Sequence, residues 1–239
     1  MKGCTIVHNG HLRFPERHLQ FDPDKLCQIV SKSVGQPIAN ILLFTKIAEG
    51  GSYRIFEVEF RDGLKVIARL PYPCTIPHAY GVASEVATMD FLRLHGIPVP
   101  KVLDWSSSSS NIIKSEYIIM ERVPGKELEE TWYTMSMRDM MSTMGKIVAV
   151  EQKLFNLKLP AYGSIYYKDS LGPEFSGIDM PLDSSIDLSR FCIGPSTEYL
   201  WWYNKRQELP ANKGPCMVPL PCHICSANQN PKGGRQKKF

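Results

Sequence analysis

A chain of 239 residues exceeds what one small core needs and falls short of two full-sized domains, so its length points to one two-part domain. Its 43% hydrophobic and 22% charged residues make an ordinary globular composition, with no apolar run near the roughly 20 residues of a membrane helix and no secretory signal at the start. A soluble, non-exported chain with no membrane partner is expected. The seven cysteines are odd in number and scattered, which favours reduced thiols over a disulfide framework. The formal charge of +4 belongs to the tail: beyond Glu208 there is no acid but five bases, so the first 209 residues carry 23 positive against 24 negative groups. A neutral body argues against a nucleic-acid partner.

Residues 1–20 hold His8, His11 and His18 without strong periodicity and read either as the remnant of a basic mitochondrial presequence or as a frayed, poorly ordered terminus. In residues 21–35, Asp22 suits a helix cap, Pro23 the first turn and Gly35 the C-terminal turn, with Leu26, Ile29 and Val30 at helical spacing. Residues 41–70 change to strand texture, with a hairpin signal at Asp62-Gly63. Val82, Val86, Met89, Phe91 and Leu92 predict a helix over 82–94 that Gly96 ends. Residues 97–103, with Pro98 and Pro100, read as an edge strand; the serines at 106–110 as a flexible hairpin tip; and 116–123 as a further strand closed by Pro124-Gly125. Ser136 and Asp139 have capping spacing, and Met137, Met140, Met141, Met144, Ile147 and Val148 continue a helical stripe that reads as adaptable core. Residues 163–190 look irregular, 191–209 suggest a short aromatic helix, and 210–239 read as a disordered basic tail.

One constellation carries chemistry. A glycine pair leading into a strand lets backbone approach a phosphate, with the amides of Gly51, Ser52 and Tyr53 as donors. Gly50-Gly51 alone reads equally as an ordinary hairpin turn. Alternation then places Ile67 and Arg69 on one strand face, an apolar cover for a base beside a cation for phosphates, and Glu85 on the following helix would hold that cation. Met120, Glu121 and Val123 follow as an extended linker whose main chain would pair with an adenine edge. Singly, each has a plain structural alternative: Arg69 and Glu85 as a surface pair, Met120 as core. In this order they resemble the small lobe of a protein-kinase-like phosphotransferase.

The segments TKIAEGGSYRIFEVEF (45–60), VIARLPYP (66–73), ASEVATMDFLRLHGIPVPKVLDWS (83–106), EYIIMERVPGKEL (116–128) and LPAYGSIYY (159–167) resemble the aminoglycoside phosphotransferase family, in the fungal branch of the altered-inheritance-of-mitochondria proteins. The similarity covers about residues 21–215 and includes RFCIGPSTEYLWWYNKRQELPANKGP (190–215). It implies an α+β, protein-kinase-like fold: a five-stranded antiparallel small lobe with one main helix over 21–125, a hinge at Met120 to Val123, and an incomplete helical large lobe over 126–209. It also implies an ATP site, weak or vestigial here, mitochondrial localisation in preference to cytoplasmic, and Arg69 in the position of the kinase-type lysine, where its fixed guanidinium still pairs with phosphate and Glu85.

The departures matter as much. Transfer by this fold needs a His-x-Asp loop and a metal-binding aspartate, and no such string exists; after His95 the remaining histidine is His223. Asp179, Asp183 and Asp187 precede the family-like segment at 190–215 and do not supply the loop. The expectation is therefore no catalytic residue and no magnesium ligand in this chain, as in a truncated or misread product of a phosphotransferase gene. The alternative is a pseudokinase-type interaction protein that binds a partner or a second copy through its exposed large-lobe surface. Cys216, Cys222, His223 and Cys225 invite a zinc reading, but a single CxxC with no second spaced pair does not make a metal site.

Overall fold

The computed structural model describes residues 17–182, 186–209 and 212–217. The expectations for a presequence, for Asp183 and for Cys222, His223 and Cys225 lie outside those residues. The chain divides into two compact units, Met1–Leu157 and Lys158–Phe239.

In the first unit, α1 (Pro23–Val34) forms as its local chemistry dictates. Asp22 accepts from the amides of Asp24 and Lys25, Pro23 occupies the first turn, and Gly35 at φ 69° closes the helix by donating to Lys32 O. Five antiparallel strands follow: β1 (Ile41–Glu49), β2 (Tyr53–Phe60), β3 (Lys65–Pro71), β4 (Val102–Ser106) and β5 (Tyr117–Glu121), in the spatial order β1-β2-β3-β5-β4. Gly63 at φ 85° makes the β2–β3 turn, and the Asp62 carboxylate accepts from the Leu64 amide. β4 is an edge strand, in keeping with the prolines that lead into it. The serines before Asn111 are pinned rather than free: the Asn111 amide donates to Ser106 Oγ, Ser108 O and Ser115 O.

Alternation along the strands builds two unlike faces. Phe56, Val58 and Phe60 of β2, Val66, Ala68 and Leu70 of β3, and Tyr117 and Ile119 of β5 form one core with Leu26, Ile29 and Val30 of α1. The opposite face carries Ile67, Arg69, Ile118 and Met120, and α2 (Tyr80–Leu94) packs against β4 and β5 while meeting Arg69 through Glu85. The helices expected over 21–35 and 82–94 are the two that face this sheet, α1 on the core side and α2 on the other.

Beyond residue 125 the chain is helical at first and then forms strands. Helices α3 (Leu128–Trp132) and α4 (Met137–Phe155) belong to the first unit, and Lys153 Nζ donates to Gly96 O there. The second unit is built on a three-stranded antiparallel sheet of β6 (Ser164–Tyr167), β7 (Ile178–Asp179) and β8 (Phe191–Gly194), in the order β6-β8-β7, followed by the single-turn helix α5 (Tyr199–Trp202). Within 163–190, expected to be irregular, β6 and β7 supply regular structure, and Ile165 and Tyr166 are buried where β6 pairs with Phe191, Cys192 and Ile193 of β8. A side chain at Gly163 or Gly194 would collide with that sheet, so both glycines are required where they stand.

Candidate functional site

The site lies on the α2 face of the five-stranded sheet. Its centre is Arg69, which β3 delivers opposite Ile55 of β2 and Ile118 of β5. Arg69 Nη1 donates to Glu85 Oε1 from the first half of α2. The Tyr53 hydroxyl donates to the other carboxylate oxygen at 2.9 Å, and the Arg69 guanidinium carbon stands 4.2 Å from the centre of the Tyr53 ring. Both carboxylate oxygens of Glu85 are therefore engaged, and the guanidinium is held edge and face. Burial first, then the charge of Glu85, pushes the Tyr53 phenol well above its ordinary pKa, so it remains a donor.

The turn between β1 and β2 is closed by Gly50 N donating to Tyr53 O at 3.0 Å. Ser52 O accepts from Tyr72 N and from Thr75 Oγ1, which ties the tip to the segment after β3. A Cβ at Gly51 would meet nothing within 4 Å, so the tip is open to an approaching group. Glu49, at the foot of the same turn, accepts from Lys46 Nζ (2.7 Å), the Tyr72 hydroxyl (2.6 Å) and Arg54 Nη2 (3.0 Å).

The structure brings Ile67 and Met120 directly opposite each other on β3 and β5. They are 8% and 5% exposed, so most of that apolar surface is already covered. Glu121 lies at the end of β5, where its side chain serves the fold by accepting from Arg93 Nη1 and from the Lys101 amide, while its own amide donates to Lys101 O. Val123 is exposed, and its carbonyl accepts from Arg122 Nη1. Gly50, Gly51, Ser52, Tyr53, Arg69 and Glu85 thus form one cluster, and Ile67 and Met120 form an adjoining patch.

Sequence reasoning placed Tyr53 here for its amide and missed its side chain. It also missed Glu116, whose carboxylate accepts from the amide of Ala79 at 3.1 Å and lies 3.7 Å from His78 Nδ1. Ala79 takes φ 62°, an unusual conformation for a residue with a Cβ, at the start of α2. No signal in the sequence marks that contact, since the two residues are 37 positions apart.

The donor set suits an anion. The Arg69 Nε is buried and has no hydrogen-bond partner, while Nη1 donates to Glu85. Among the described residues no group of three or more His, Cys, Asp or Glu side chains is arranged to hold a metal ion, and no helix is long and apolar enough to cross a membrane.

Comparison with known proteins places the site within a family domain. The profile described as the phosphotransferase enzyme family (APH) matches residues 44–154, which contain the whole Arg69–Glu85 cluster. The chain carries a phosphotransferase-family domain. The fold of that family is protein-kinase-like, and the five-stranded antiparallel sheet agrees with it. A subtelomeric hrmA-associated cluster protein of Aspergillus fumigatus is 38% identical over 174 residues, 72% of this chain and 33% of that protein. Altered inheritance of mitochondria protein 9, mitochondrial, is 30% identical over 221 residues in Eremothecium gossypii and 31% identical over 213 in Saccharomyces cerevisiae. These matches cover 82% and 81% of this chain but 35% and 34% of those relatives, so the chain spans about a third of the length of the curated relatives it matches.

Proposed function

We propose that the phosphotransferase-family domain of this chain binds ATP through the Arg69–Glu85 cluster and does not by itself transfer the phosphoryl group. The observation that carries the reading is the Arg69 guanidinium, fixed by Glu85, with its side chain still 24% exposed and adjoining an open glycine turn. A phosphate oxygen would meet the exposed part of that guanidinium, with the amides of Gly51 and Ser52 on the same turn. Ile67 and Met120 would then meet the base, with main-chain groups of Glu121 and Val123 beside it. Proteins of this family use ATP and a metal ion generally. When bound, ATP supplies the phosphoryl group; this chain's residues hold its phosphates and orient it. A base for an acceptor hydroxyl and the magnesium ligands would have to come from outside these 239 residues, which contain no His-x-Asp string. The binding is accordingly weak. Mitochondrial localisation comes to this chain by resemblance to relatives that carry that word in their names.

Calorimetric titration with ATP tests the reading: the wild-type chain should bind and Arg69→Ala should lose at least about tenfold in affinity. Equal affinity in both would refute it. Steady ATP-dependent transfer by the purified chain would refute the inactive part.

A second reading is favoured by α4. Met137, Met141 and Phe155 are 74%, 68% and 86% exposed, and no residue of that helix is buried. A helix with its apolar positions so open suits an interaction protein whose partner is a second copy of the chain.

A further inference from the structure

Arg69 and Glu85 alone would be a partly exposed ion pair with rotational freedom at both ends, since their side chains are 24% and 25% exposed. A third group removes that freedom. The Tyr53 hydroxyl takes the second oxygen of Glu85, and the Tyr53 ring lies under the Arg69 guanidinium at 4.2 Å. One hydrogen bond therefore sets the carboxylate plane and one cation–π contact sets the guanidinium plane, which determines where the unpartnered Nε–H is held. Tyr53 is also the first residue of β2 after the Gly50-Gly51-Ser52 turn, and its carbonyl closes that turn through Gly50 N. The open amides and the cation are thereby linked through a single residue.

We infer that Tyr53 is a positioning residue for polyphosphate binding: its phenol and ring hold Arg69 and Glu85 in the arrangement that receives a nucleoside triphosphate. The inference rests on the ATP-binding reading and deepens it, because it assigns a side chain to the phosphate end of the ligand and none to the base. Burial keeps the phenol protonated, so the bond to Glu85 persists through the neutral and mildly alkaline range.

The test uses the full 239-residue chain and Tyr53→Phe, which keeps the ring and removes only the hydroxyl. Two readouts are combined. In nucleotide-free protein, the Nε–H resonance of Arg69, assigned by its loss in Arg69→Lys, should move in Tyr53→Phe. In calorimetry with Mg·ATP and with adenosine as separate probes, Tyr53→Phe should weaken ATP about tenfold and leave adenosine unchanged. A merely structural role would weaken both probes alike, and that outcome overturns the proposal. An Arg69 signal unmoved by Tyr53→Phe overturns it whatever the nucleotides do, as does equal ATP affinity in variant and wild type. If the wild-type chain binds neither probe, both the ATP reading and the polyphosphate role fall, and a moved Arg69 signal then identifies Tyr53 as a support of the ion pair only.

Discussion

The Tyr72 hydroxyl donates to Glu49 at 2.6 Å and so ties the foot of the β1–β2 turn to the residue just after β3. Lys46 contributes most to holding the Glu49 carboxyl at a pKa of about 2, followed by Tyr72 and then Arg54. Tyr72 is pushed the other way, to about 12, by burial first and then by Glu49. A carboxylate whose folded pKa is depressed stabilises the fold above its unfolded value and loses that contribution as pH falls, here between about 4.5 and 2. Because Glu49 is 37% exposed, solvent screening reduces the effect to about 1 kcal/mol. Tyr72→Phe should raise the Glu49 pKa while leaving it below 4.5, since Lys46 and Arg54 remain. Carboxyl carbon chemical shifts followed through an acid titration give the answer; an unchanged midpoint would remove Tyr72 from the account.

Phe56 is the keystone of the α1 face. Its ring centre is 5.2 Å from that of Phe21 and 5.0 Å from that of Phe44, and it is 6% exposed. Phe56→Ala should cost about 3–5 kcal/mol, because both neighbouring rings lose their packing partner at once. Urea unfolding at pH 7 measures it. A cost below about 1 kcal/mol would mean that α1 does not bury this face in solution.

The His78–Glu116 contact and the Ala79 backbone meet at the start of α2. Glu116 is the largest influence raising the His78 pKa above its ordinary 6.5. A histidine raised in this way stabilises the fold fully below its unfolded pKa and loses that contribution as pH climbs through the folded value. The His78 ring protons should titrate above 6.5, and Glu116→Gln should return the midpoint toward it. In the same place, Ala79→Gly should stabilise by about 1 kcal/mol, since φ 62° with ψ −54° strains a residue that has a Cβ. Destabilisation by that change, in thermal or urea unfolding, would contradict the strained start.

What was legible beforehand was local or ordered by position. Asp22, Pro23 and Gly35 mark α1 because capping and a left-handed turn need only neighbours along the chain. Asp62-Gly63 marks its hairpin for the same reason, and Ser136 caps α4 as its spacing with Asp139 suggests. Arg69 and Glu85 were readable as a pair through strand alternation and the order of the family's segments. The side-chain role of Tyr53 was not, because it depends on which face β2 turns toward a helix 32 residues away. The sheet of the second unit escaped for another reason: β6, β7 and β8 have four, two and four residues, too few for a period to emerge among the intervening Gly, Pro and Asp. In the sequence, residues 163–190 accordingly read as irregular and 191–209 as a short aromatic helix.

The exposed face of α4 gives the last expectation. Ser136 Oγ accepts from the Asp139 amide, so the helix is well started, and Lys153 tethers its far end to Gly96 O. Three methionines between these anchors stay open: Met137, Met141 and Met144 are 74%, 68% and 45% exposed. If a second copy covers them, sedimentation should show concentration-dependent association of the wild-type chain, and Met141→Glu should abolish it by placing a charge in the contact. The same change should alter unfolding by no more than about 0.5 kcal/mol, because Met141 packs against little within its own chain. A monomeric wild type would remove the second copy as the partner. Association that survives Met141→Glu would place the contact elsewhere, with Leu42 and Leu43 on the edge strand β1, 56% and 53% exposed, as the next surface to alter.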